Sequence, residues 1–224
     1  MSFSLNEKTI RDIVNSAGPA SQFTSLSEVN LGFGLLYYAL GRLYRPRKML
    51  VIGSRRTFSL VCFALAMKDN GNDGTLYFVD AGFPDEPDGF SSPMNGDVLE
   101  DEAKPVTDLL TTFAIDSIVK RFVMTPRKFF GHYERHGVAD IDTAFIDGDH
   151  SYEGFRHDFD RTAGVVRKGG LIMFHDALVN ESNSPLLGQY FGVSQVVEKC
   201  LRGNPKFELL TLPVFPGLGI ARRV

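Results

Sequence analysis

Residues 143–176 read TAFIDGDHSYEGFRHDFDRTAGVVRKGGLIMFHD, and the order of elements in this stretch decides the fold. It opens on a short apolar run, Thr143-Ala144-Phe145-Ile146, that ends in Asp147. It closes on a second apolar run, Gly170-Leu171-Ile172-Met173-Phe174, that ends in His175-Asp176. A helical pattern over 152–167 separates the two. Strands that are apolar along their whole length belong in a sheet covered on both faces, and an intervening helix supplies the crossover that parallel pairing needs.

Working outward, the same alternation continues. Toward the N-terminus lie a strand over 48–53 that closes on Gly53, a helix over 59–70 and a strand over 74–80 that ends in Asp80. Phe122 and Val123 belong to a further strand, and a helix is expected over 126–134. Toward the C-terminus, 207–212 and 218–222 read as strands joined by Pro213-Val214-Phe215-Pro216-Gly217, a link too short for a parallel pair. The expected fold is therefore α/β, a mostly parallel sheet with one antiparallel strand near its edge. Two helices precede it, over 6–16 and 28–44; Ala17-Gly18-Pro19 stops the first and Arg45-Pro46 the second. Residues 81–101 carry three prolines, three glycines and a cluster of acids. They begin where the second strand ends and read as a lid or substrate loop.

With 224 residues, of which 43% are hydrophobic, the chain suits a single domain over 1–224, a helical extension over 1–46 leading into a core over 47–224. A net charge of -3 argues against a nucleic-acid partner bound through phosphate neutralisation. Cys62 and Cys200 lack metal or redox spacing and read as packing residues of a reduced, cytoplasmic protein. No secretion signal is evident over 1–18. The apolar stretch 31–44 is too short to span a bilayer, and is a candidate homodimer interface instead.

Two clusters carry chemistry. The turn Gly53-Ser54-Arg55-Arg56-Thr57-Phe58-Ser59 follows a strand and opens a helix, and the next strand ends in Asp80, whose carboxylate can accept from the hydroxyls of a ribose. The turn has one glycine where a dinucleotide fingerprint has three, which fits a nucleoside without pyrophosphate better than NAD or FAD. Arg55 and Arg56 suit a cofactor carboxylate, an anionic acceptor or solvent. The second cluster is Asp147, His175 and Asp176. Neighbouring strands run ~5 Å apart, so if these two strands pair, the three side chains meet at one rim and can hold a divalent cation. Oxygen ligands suit magnesium or manganese; the imidazole tilts the set toward manganese, iron, cobalt or zinc. Asp149 is a candidate general base, with His150 the alternative. The competing reading makes Asp149 or Ser151 a helix cap and His150 a loop-orienting group. Phe33, Tyr37 and Tyr38 line either a substrate pocket or a helical core, and His132, His136 and His157 show no ligand spacing.

Ile146-Asp147-Gly148-Asp149-His150-Ser151-Tyr152-Glu153-Gly154, followed by Arg167-Lys168-Gly169-Gly170-Leu171-Ile172-Met173-Phe174-His175-Asp176, closely resembles the class I S-adenosylmethionine-dependent methyltransferases of the macrocin and cephalosporin-hydroxylase-associated group. Gly217-Leu218-Gly219-Ile220-Ala221 resembles that group's last strand. The resemblance implies a Rossmann-like three-layer sandwich with seven strands, one of them antiparallel. It implies S-adenosylmethionine (SAM) between Gly53 and Asp80, with Ser54, Arg55, Thr57, Ser59 and Asp147 as further contacts. It also implies a magnesium-type ion on Asp147, His175 and Asp176, and a general base at Asp149. Two positions depart from the group: Thr57 replaces a usual glycine, and His175 a usual acid. The resulting expectation is a SAM-dependent, metal-assisted O-methyltransferase acting on a sugar or other small natural-product hydroxyl. The altered first turn motivates the alternative, a degenerate methyltransferase fold with a binding or regulatory role. A nicotinamide oxidoreductase would need the missing glycines. A metal-dependent hydrolase built on Asp147, Asp149, His150 and Asp176 would have no use for Asp80.

Overall fold

The computed structural model describes residues 4–17, 22–54, 57–71, 73–81, 106–179 and 192–224. The elements in chain order are α1 (Glu7–Ala17), α2 (Phe33–Tyr44), β1 (Lys48–Ile52), α3 (Phe58–Asn70), β2 (Thr75–Asp80), α4 (Val106–Thr112), β3 (Val119–Val123), α5 (Pro126–Phe130), β4 (Ile141–Ile146), α6 (Tyr152–Val165), β5 (Val166–His175), α7 (Gly192–Val196), β6 (Phe207–Leu212) and β7 (Leu218–Arg223). A 3-10 turn (Tyr133–His136) precedes β4, and a π-helical turn (Val197–Leu201) continues α7. They form two compact units. One draws on Met1–Arg47, Ser54–Leu76 and Val98–Lys120; the other on Lys48–Gly53, Tyr77–Asp97 and Arg121–Val224.

In the first unit, α2 packs on α3. Gly34 and Gly41 lie seven residues apart on one face of α2, where a Cβ would stand 2.6 Å from Phe58 Cζ and 2.7 Å from Ala66 Cβ. Without side chains there, the helices approach closely, and Tyr37 stacks on Phe63 at 5.3 Å. Every residue of α3 from Phe58 to Met67 is buried, as expected of a helix apolar on all sides. Among the described residues, no helix is long and apolar enough to cross a membrane.

The sheet has seven strands in the order β3-β2-β1-β4-β5-β7-β6. β1 pairs with β4, and β4 with β5, in parallel; β7 runs antiparallel to both β5 and β6. The expected single reversed strand is therefore β7, one place in from the edge. Apolar residues of β1, β4 and β5 pack with Phe155 and Phe159 of α6 and with Val193, Val196 and Val197 in one continuous core. The chain winds outward from β1 on one side and from β4 on the other, so the boundary between β1 and β4 is a topological switch point.

Several boundaries differ from the sequence expectation. The helix expected over 28–44 starts only at Phe33: Ser25 and Asn30 form an antiparallel bridge, Val29 and Gly32 take positive φ, and Asn30 Oδ1 accepts from Gly32 N–H. The helix expected over 126–134 stops at Phe130 and resumes as a 3-10 turn. α6 ends at Val165 rather than 167, because Val166 turns to extended backbone and starts β5. β3 begins at Val119; its exposed Lys120 and Arg121 hide the strand pattern, a common guard on an edge strand. α4 had no counterpart in the sequence reading. From residue 82 onward, the 81–101 loop lies outside the described residues, as do Gly18, Pro19, Arg55 and Arg56.

Gly219 marks the tightest packing of β7 on β5. A Cβ there would overlap the ring of Phe174, which is fully buried. Gly219→Ala should destabilise the protein by about 1–3 kcal/mol. An unchanged thermal midpoint would show that this contact yields freely.

Candidate active site at the switch point

Asp147, His175 and Asp176 follow the last pairs of the central strands. Ile52 pairs with Ile146, and Ile146 with Phe174, so the chain leaves β1, β4 and β5 at one level. The expected convergence is present: donor atoms of Asp147, His175 and Asp176 lie within 4.8 Å of one another. His175 is buried, and the two aspartate side chains are 15% exposed. His175 Nδ1 stands 3.0 Å from Asp176 Oδ1 and 3.8 Å from Asp147 Oδ1. Asp176 takes φ +59, a left-handed conformation that aspartate tolerates. Two carboxylates and an imidazole at this spacing fit a divalent cation.

His150 joins the cluster from the loop before α6. Its Nε2 lies 3.2 Å from Asp147 Oδ1 and its Nδ1 2.9 Å from Asp176 Oδ2. Burial opposes a charge on this ring, but Asp176 and Asp147 outweigh it and hold its pKa well above the ordinary histidine value. His175 behaves alike: burial opposes the charge, and Asp176 and then Asp147 raise the pKa. For Asp176, burial favours the neutral acid, yet His150 and His175 hold its pKa far below the usual carboxylate range.

Asp149 faces elsewhere. Its Oδ1 accepts from Ser151 N–H at 2.8 Å, and its carboxyl lies over Gly154, where a Cβ would collide with it. Ser151 is the N-cap of α6, accepting from Gly154 N–H at 3.0 Å. So the capping role falls to Ser151, with Asp149 bracing the loop that presents it.

The β1 end supplies the backbone side of this region. Gly53 takes φ +66 and donates to Val79 O at 2.9 Å, next to Asp80 at the end of β2. A Cβ at Gly53 would collide with Asp147 O, so only glycine lets the two strand ends meet. In the turn that follows, Thr57 sits at φ +61 and ψ +14, a left-handed conformation that glycine adopts with ease. A β-branched residue held there costs about 1–2 kcal/mol, so the turn keeps a left-handed residue at the expense of strain. Thr57 N–H donates to Ser54 O at 2.6 Å, and the hydroxyls of Ser54 and Ser59 lie 2.7 Å apart. Arg55 lies outside the described residues.

The family described as "methyltransferase domain" matches residues 50–177, which is more than half of the chain. The chain belongs to this methyltransferase family. No curated protein sequence matches it. Among solved structures, the SAM complex of the O-methyltransferase TomG from Streptomyces achromogenes, involved in tomaymycin synthesis, is similar at TM-score 0.66 and 16% identity, covering 100% of this chain and 91% of that one. An O-methyltransferase from Bacillus cereus in complex with SAH is similar at 0.64 and 16%, covering 98% and 92%. A putative O-methyltransferase from Klebsiella pneumoniae gives 0.64 and 18%, covering 97% and 89%. At these identities the likeness is one of fold.

The aromatic candidates of this methyltransferase-family chain, and His136 and His157, have packing or hydrogen-bond partners of their own. Tyr37 is buried with its hydroxyl on Gln22 Oε1 at 3.0 Å, Tyr38 donates to Asp69 Oδ2 at 2.6 Å, and Phe33 packs near both Phe23 and Tyr37. His136 stacks on Phe129, and His157 pairs with Asp158 at 2.9 Å. Asp158 itself escaped the sequence reading. It shares the buried face of α6 with Phe155, Phe159 and Thr162, a spacing that exposes it as a polar residue in an apolar stripe. Its Oδ2 is buried without a hydrogen-bond partner, 3.5 Å from where a Cβ of Gly148 would stand.

Burial raises the Asp158 pKa above the ordinary aspartate value, more than the His157 contact lowers it. The folded chain therefore holds this proton more tightly than the unfolded chain. That stabilising contribution is present below the ordinary value and is lost as pH rises through the native one. Asp158→Asn should raise the thermal midpoint relative to wild type at pH 7–8, with the gain shrinking toward pH 4. A pH-independent difference would mean the carboxylate is not penalised in the fold.

Proposed function

We propose that this chain is a SAM-dependent methyltransferase acting on a hydroxyl of a small-molecule acceptor, such as a sugar or another natural product, assisted by a divalent cation. The observation that carries the reading is the close approach of Gly53 to Asp147, which sets the glycine end of β1 beside a carboxylate–imidazole cluster. The Streptomyces and Bacillus proteins, solved with SAM and SAH on the same fold, support the choice of cofactor. The left-handed backbone at Thr57 supports a working turn over the degenerate-fold alternative.

SAM supplies a methyl group made electrophilic by its positively charged sulfur. Gly53 and Asp80 are the proposed hold on its adenosine, with Ser54, Arg55, Thr57, Ser59 and Asp147 as further contacts. A divalent ion on Asp147, His175 and Asp176 supplies positive charge that makes an acceptor hydroxyl more acidic. Alignment of hydroxyl and methyl is then the main task of the protein. Asp149 is the proposed proton acceptor; its carboxylate lies toward the first turn of α6, with Oδ1 on Ser151 N–H, so the role calls for it to turn to the bound acceptor.

Calorimetric titration of SAM into the purified protein tests the reading, and micromolar binding is expected. No binding, with chelator or with manganese, would leave the degenerate-fold alternative standing in its place. With an acceptor in hand, Asp149→Asn should lower kcat by about 10²-fold or more while SAM still binds. Full turnover by that variant would remove Asp149 from the role.

A further inference from the structure

His150 is the only residue of the cluster that touches both aspartates through different ring nitrogens among the described contacts, at 3.2 Å to Asp147 and 2.9 Å to Asp176. A ring that accepts a substrate proton needs one nitrogen open to the substrate. Here each nitrogen faces a carboxylate instead, so neither is directed at an acceptor. The two carboxylates come from different strand ends, one after β4 and one after β5, and Asp176 is held on a left-handed backbone. Like charges this close repel, and nothing in the pairing of β4 with β5 sets the side-chain angles. A rigid planar group spanning both carboxylates does set them. Carboxylates that ligate metals are commonly oriented by such outer hydrogen bonds.

We infer that His150 is a positioning residue: it clamps Asp147 and Asp176 in the orientation that receives a divalent cation, and it does not take the acceptor's proton. The cation reading proposed above is the basis of this inference. His175, one of the three residues whose donor atoms converge, is the nitrogen ligand. His150 acts through the two carboxylates that it touches.

The test is a direct metal titration of the chelator-stripped protein, with manganese followed by electron paramagnetic resonance. Wild type should bind one manganese ion. His150→Phe fills the ring's volume without its nitrogens and should weaken manganese binding by about 10–100-fold, the range typical of lost outer-shell partners. His150→Gln keeps a donor that reaches one carboxylate and should recover part of that loss. SAM affinity, measured separately, should fall by far less than manganese affinity, because Asp147 is one of several proposed SAM contacts. Equal manganese affinity in wild type and His150→Phe would overturn the clamp. Equal loss in the Phe and Gln variants would also overturn it, because hydrogen bonding would then not matter. If wild type binds SAM but no divalent ion, the clamp fails and the methyltransferase reading survives. If it binds manganese but not SAM, the methyltransferase reading fails while the clamp is still judged by the variants.

Discussion

The backbone junction between β1 and β4 is the constraint on which the site depends. Asp147 N–H donates to Ile52 O at 2.8 Å, extending the parallel pairing by one residue past the strands. At that level Gly53 must turn away without a side chain, since any Cβ would strike Asp147 O. The two chains therefore part at the switch point, one into the turn before α3 and the other into the loop before α6. Moving the register by one residue would turn Asp147 to the opposite face of the sheet and dissolve the cluster.

Electrostatics sets the second condition. Two nearly buried carboxylates at one strand end would repel each other and pay a desolvation cost. Two imidazoles offset this, and each shift runs in the direction expected of a compensated set: the histidines are raised and Asp176 is lowered. A divalent ion could supply the same compensation. The site thus rests on compensating positive charge, and His150 touches both carboxylates that receive it.

Much of this was legible beforehand. The apolar runs ending in Gly53, Asp80, Asp147 and Asp176 announced parallel strands with polar ends, because a strand buried on both faces has no other place for a charged residue. The short link at 213–217 announced the reversed β7. Less legible were elements shaped by competing local contacts. The Ser25–Asn30 bridge and the Asn30 side chain displaced the start of α2, although the residues there suit a helix. Lys120 and Arg121 hid β3, because an edge strand's outer positions answer to solvent.

What the sequence by itself determined is the set of strand ends and the residues standing on them, since periodicity and turn chemistry are local properties. Only the tertiary structure decided which side chains face one another. It turned Asp149 toward the first turn of α6, laid His150 across Asp147 and Asp176, and buried Asp158 beneath Gly148. It also kept Thr57 in the left-handed conformation that glycine would prefer. The contact of His150 with Asp176 joins segments remote in the chain, and a one-dimensional pattern carries no record of it.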